Sequence, residues 1–113
     1  MNNSNTGDQF FQWMNVSQNG KLAVTWLDRR NDPQNLSYQP FMATSQSQGT
    51  TFSTSHALTS TLSNPDNDGF GGAFMGDYRT NVWNGGNVYA VWMDTRSGTS
   101  QDQAGGASLV HFP

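Results

Sequence analysis

The sequence predicts an all-β protein of antiparallel strands, and three observations predict it. Residues 20–28, GKLAVTWLD, alternate: Leu22, Val24 and Trp26 fall on one face and Ala23, Thr25 and Leu27 on the other, so this segment is a strand with both faces covered. Residues 86–94, GNVYAVWMD, repeat the device, with Val88, Ala90 and Trp92 opposite Tyr89, Val91 and Met93. Strong helix formers are scarce: every acidic residue is an aspartate, Lys21 is the single lysine, isoleucine is absent, and Gly, Asn, Ser and Thr abound.

The remaining elements follow in order. Gly7-Asp8 introduces a strand from Phe10 to Val16, and Ser17-Gln18-Asn19 turns it into the strand that ends in Trp26-Leu27-Asp28. A third strand is expected at about Tyr38 to Thr44 and a fourth at about Thr51 to Leu58. Residues 61–76 contain SNPDNDGFGGAFMG, rich in turn formers and without alternation, so they are read as a surface loop. Gly76-Asp77 then restarts the pattern with a strand from Tyr78 to Trp83, a turn, and the strand ending in Trp92-Met93-Asp94. The closing ASLVHFP supplies a third strand and leaves no chain for a fourth. The result is about two four-stranded antiparallel units, one spanning about 7–60 and most of another over 77–113, repeating Gly-Asp, strand, turn and W-x-D-x-R in the same order.

Composition narrows the function. A chain of 113 residues is one domain with a modest core, and without cysteine it has neither a disulfide framework nor a thiolate zinc site. Packing or self-association must supply the stability. With five basic residues and a net charge of −3, the chain lacks the electrostatic footprint of a nucleic-acid or anionic-membrane partner. No apolar run approaches the roughly 20 residues that span a bilayer. The opening MNNSNTGDQ has neither the basic nor the apolar region of a secretory signal, so a trimmed fragment or an unusual export route is expected.

The turn between the third and fourth strands, Ser45-Gln46-Ser47-Gln48-Gly49-Thr50-Thr51-Phe52, resembles the Asp-box or BNR repeat of sialidase-like β-propellers, S-x-D-x-G-x-T-W/F. Ser, Gly, Thr and the aromatic match; Ser47 stands where the aspartate belongs, which weakens the turn's hydrogen bonding and keeps the hairpin. Together with GDQFFQW, GKLAVTWLDRRNDP, FMGDY and VYAVWMDTR, the resemblance covers nearly the whole chain and is similar to the C-terminal blades of secreted bacterial BNR-repeat, sialidase-like proteins. It implies about two blades of a β-propeller, incomplete as a single chain, and an extracellular location. Two blades cannot close a ring that commonly takes about four to eight. Partners are therefore expected to be copies of itself through exposed edges, or missing neighbours, with glycans on the loops.

Two readings of W-x-D-x-R stand side by side. Asp28 with Arg29 or Arg30, and Asp94 with Arg96, either form a corner ion pair beside an aromatic wedge, or present Arg30 and Arg96 as bidentate forks to a substrate carboxylate. The sialidases that the fold resembles clamp a sugar carboxylate with three arginines and use a tyrosine activated by a glutamate. This chain has no glutamate, so that pair cannot be assembled here in its usual form. The sequence therefore leaves enzyme activity undecided; its catalytic candidates are Asp77, Tyr78 and Arg79, in a site formed between chains. Trp13 and Trp83 are candidates for sugar stacking, and Asp66 and Asp68, with Asp77, for a loose calcium site. An EF-hand is excluded because Met75 occupies the position of its bidentate glutamate. No other cofactor is expected.

Overall fold

A computed structural model of the chain describes residues 2–67, 69, 76 and 79–98, and the course of the backbone over 102–108. Its described elements are seven strands: β1 (Gln9–Val16), β2 (Leu22–Asp28), β3 (Gln39–Ser45), β4 (His56–Ala57), β5 (Thr80–Asn84), β6 (Asn87–Asp94) and β7 (Asp102–Ser108). They form two antiparallel sheets, β1-β2-β3-β4 and β5-β6-β7, with no helix among the described residues.

The turns follow from local chemistry. Between β1 and β2, Gly20 takes a φ of 77°, and the Ser17 hydroxyl and carbonyl accept the Lys21 and Gly20 N–H groups. Between β5 and β6 only Gly85 and Gly86 intervene, at φ 58° and 89°; two successive left-handed residues suit a tight hairpin.

The register assigns the faces. Trp13 pairs with Thr25, Asn15 with Ala23, and Ala23 and Thr25 with Thr44 and Met42, so these share one face. Met14, Val16, Val24, Trp26, Phe41 and Ala43 share the other. Between Phe10 and Trp13, β1 carries one residue more than β2, with Phe11 at φ 58°. This bulge lets Phe10 and Phe11 both pack toward the second sheet.

The core is the junction between the sheets. Leu27 and Tyr38 of the first meet Ala90 and Trp92 of the second, and Ala23 and Met42 meet Val88. Burial of each large side chain there contributes on the order of 1.5–3 kcal/mol. Polar links cross the same junction: Asn81 Nδ2 donates to Trp13 O at 3.1 Å and to Thr25 Oγ1 at 3.0 Å, and the Tyr38 hydroxyl donates to Met93 O at 3.0 Å. Each sheet is left with an outer face, Met14, Val16, Val24 and Trp26 on the first, and Thr80, Val82, Tyr89 and Val91 on the second.

Two strands differ from the sequence reading. The fourth was expected over Thr51 to Leu58, and β4 is only His56–Ala57. Thr44 N–H donates to the Ser53 hydroxyl instead of a backbone carbonyl, and Pro40, which accepts from Leu58 N–H, has no N–H to return. The ladder is cut at both ends. The last strand was expected over ASLVHFP, and β7 is Asp102–Ser108, pairing Asp94 with Asp102 and Val88 with Ser108. Residues 109–113 lie outside those described.

Candidate functional site: the repeated Trp-Asp-Arg corners

Each second strand of a sheet ends in the same construction. At the first corner Trp26 Nε1 donates to Asp28 Oδ2 at 2.8 Å, Arg30 N–H donates to Asp28 Oδ1 at 2.8 Å, and Arg30 Nη2 meets Oδ2 at 2.5 Å. Asp28 is fully buried. Burial by itself would raise its pKa, but the Arg30 guanidinium, the Trp26 indole and the Arg30 N–H together hold the carboxyl below its ordinary value.

The rest of the first corner is locked around this pair. Arg30 also donates to Asn2 and Asn3 through their amide oxygens and to the Ser55 hydroxyl, which itself bonds Asn3, and its guanidinium lies 4.2 Å from the Phe41 ring centroid. Gly7 sits against the turn at φ 71°, where a Cβ would come within 2.7 Å of Arg29 C; only glycine fits. Asp8 then accepts from Arg29 Nη1 at 3.3 Å and from Asn35 Nδ2 at 2.9 Å. Asp32 closes the following loop by accepting the N–H groups of Ser37, Gln34 and Leu36, which lower its pKa.

The second corner repeats the pair with different supports. Arg96 N–H donates to Asp94 Oδ1 at 2.8 Å, and Arg96 Nε donates to Asp94 Oδ2. The Ser63 hydroxyl donates to Asp94 Oδ1 at 3.1 Å, while the Ser63 backbone pairs with Tyr38 of the first sheet. Trp92 Nε1, unlike Trp26 Nε1, is buried without an acceptor among the described residues. Arg96 reaches on to the Thr59 hydroxyl at 3.2 Å. Ser55 and Thr59 flank β4, so the two corner arginines grip the two ends of that short strand.

The candidates read from the sequence are thus separated by environment. The Arg30 side chain is 12% exposed and engaged with four side chains, whereas that of Arg96 is 44% exposed. Arg79 stacks 3.6 Å from the Phe11 ring centroid, beside the sheet junction. Trp83 donates to Asn15 O at 3.4 Å and packs against Ala23, Met42 and Val88. Trp13 is 45% exposed. Asp66 is exposed, its N–H held by Asn64 Oδ1 at 2.9 Å in a turn; Asp68, Asp77 and Tyr78 lie outside the described residues. Among the described residues no three His, Cys, Asp or Glu side chains gather as a metal group, and no helix is long and apolar enough to cross a membrane.

Residues that sequence reading did not single out are Asn3, Ser55, Thr59 and Ser63, which complete the corners. Small polar residues in an Asn- and Ser-rich chain give no pattern signal; only tertiary proximity marks them. A cavity of about 140 Å³ opens on the outer face of the first sheet, with an amide rim of Asn2, Gln9 and Gln12 and a floor that includes Val24 and Trp26. Comparison with family models, with curated proteins and with solved structures returned no match for the chain.

Proposed function

We propose that the chain is a structural and recognition module of the β-propeller type: two blades that self-assemble or complete a larger propeller outside the cell and bind carbohydrate on exposed side chains. The observation that carries this reading is the repeat in three dimensions. Two antiparallel sheets stack face to face, each ending its second strand in a buried aspartate held by the arginine two residues on. The Asp-box-like turn supports it too. Ser45 Oγ accepts the Ser47 and Gly49 N–H groups, and Ser47, in the aspartate position, accepts Thr51 N–H at 2.8 Å.

The corner ion pairs favour architecture over catalysis. An aspartate buried under its own arginine is shut off from substrate, and Arg30 has little surface left for a carboxylate. For glycan recognition, Trp13 offers a partly exposed indole and Arg96 a partly exposed guanidinium. A glycan array probed with the intact chain tests this half of the proposal. Binding that falls at least tenfold in Trp13→Ala, with unchanged far-ultraviolet circular dichroism, is the expected result. Silence across the array, or binding indifferent to both Trp13→Ala and Arg96→Ala, overturns it. Turnover of a fluorogenic sialoside, lost in Arg79→Ala, would instead establish a hydrolase.

A further inference from the structure

We infer that the two outer faces of the sheet pair are complementary halves of a head-to-tail interface between copies of this chain, an inference that rests on the propeller-type repeat proposed above. Register makes the faces comparable. Trp26 corresponds to Trp92, so Ala23 and Thr25 correspond to Tyr89 and Val91. Met14 pairs with Val24 as Asn81 pairs with Ala90, Val16 with Leu22 as Trp83 with Val88, and Asn15 with Ala23 as Val82 with Tyr89.

Within the chain, Asn81 and Trp83 are the β5 positions that land on the first sheet, where Asn81 meets Thr25 and Trp13, and Trp83 meets Asn15. Their counterparts on the outer face of the first sheet are Met14, 60% exposed, and Val16, also exposed. The surface they would meet, if the internal junction were repeated, is Thr80, Val82 and Val91 beside Tyr89, which is 40% exposed. The chemistry changes on both sides at once. Where the internal junction sets Asn81 on the Thr25 hydroxyl, the repeated one sets Met14 on Val91; where Trp83 Nε1 donates to the Asn15 carbonyl, Val16 brings an apolar side chain to Val82. A polar side-chain pair is replaced by an apolar one at the first position, and at the second the donor Trp83 is replaced by Val16, so each junction matches itself.

That double change selects the occupant and the register. A second copy brings the apolar set to the apolar set, whereas docking Met14 onto the Thr25 position would bury a hydroxyl without a donor or acceptor. The cavity beside Trp26, on the same face, leaves space for an incoming side chain. Being heterologous, the contact leaves each dimer with one used and one free face of each kind, so it either closes a ring or continues.

The test uses two variants of the intact chain, Met14→Asp to disable one face and Tyr89→Asp to disable the other, with aspartate in both so that the altered faces repel. By sedimentation velocity, the wild type should assemble and each variant alone should run at 12.4 kDa with an unchanged circular dichroism spectrum. Mixed one to one, they should give a dimer of twice 12.4 kDa that grows no further, because each retains the face the other has lost. Val16→Asp and Val82→Asp repeat the experiment should either first variant misfold. A wild type that stays monomeric, a variant that assembles alone, or a mixture that stays monomeric overturns the interface. Because the glycan array reads recognition without regard to mass, failure of docking and failure of recognition are told apart.

Discussion

At the scale of single residues, the aspartate-arginine corner explains why a tryptophan recurs two positions before an aspartate. The indole fills the core while its N–H, or the neighbouring guanidinium, satisfies a carboxylate that would otherwise be buried unpaired. Removing Asp28 leaves a nearly buried guanidinium without its counter-charge and an indole N–H without its acceptor, so Asp28→Ala should cost about 3–5 kcal/mol in urea unfolding. Arg96→Ala removes a half-exposed partner and leaves the buried Asp94 carboxylate the residue-96 N–H and the Ser63 hydroxyl, so it should cost less, about 1–3 kcal/mol. Equal losses would contradict the corner account. Because the Asp28 pKa is depressed in the fold, its contribution is present above the unfolded carboxylate value, 3.8, and is lost as pH falls through the folded one. Tyr38 behaves oppositely. Burial first and the Asp94 charge second push its hydroxyl up to about 12 from 10.0, so its contribution is whole below pH 10.0 and lost as pH rises to about 12. Denaturation midpoints measured across that interval should fall in the wild type and fall less in Tyr38→Phe; parallel curves would contradict this. The W-x-D-x-R pair was legible in the sequence because it repeats. Its supports, Ser55, Thr59 and Ser63, were not, since their role depends on β4 and the Tyr38 bridge bringing them within reach.

At the scale of elements, alternation located β2 and β6, and the repeated Gly-Asp pairs and turn residues located β1, β3 and β5, all to within two residues of their bounds. It failed where backbone geometry overrode composition. Thr51 to Ser55 have strand-like residue types, yet the Ser53 hydroxyl and Pro40 interrupt the ladder and leave β4 with two residues. β7 was hidden for the converse reason: Asp102–Ser108 contains Gly105 and Gly106, weak strand formers, and its place is set by pairing with β6 rather than by its own pattern. The Asp-box-like turn allows a direct element-scale test. Ser47 offers Thr51 N–H a hydroxyl where a carboxylate would make a charge-assisted bond, so Ser47→Asp should stabilise the chain by about 0.5–1.5 kcal/mol. A thermal midpoint that falls in Ser47→Asp would separate this turn from the family it resembles.

At the scale of the whole molecule, the two sheets share one well-built junction and leave two outer faces with apolar side chains in solvent. A small chain without disulfides has few other means of covering them. The order of strands and the repeat already marked two related units in the sequence, and the proposed propeller reading makes them part of an incomplete ring. The complementarity of the faces was not legible there, because it requires the β1–β2 and β5–β6 registers to align Met14 with Asn81 and Val16 with Trp83. Closure of about four to eight blades would take about two to four copies. The most direct measurement is sedimentation equilibrium of the unmodified chain over a wide range of concentrations. Masses at whole multiples of 12.4 kDa that rise with concentration are the predicted result. A single folded species of 12.4 kDa throughout the range would contradict it.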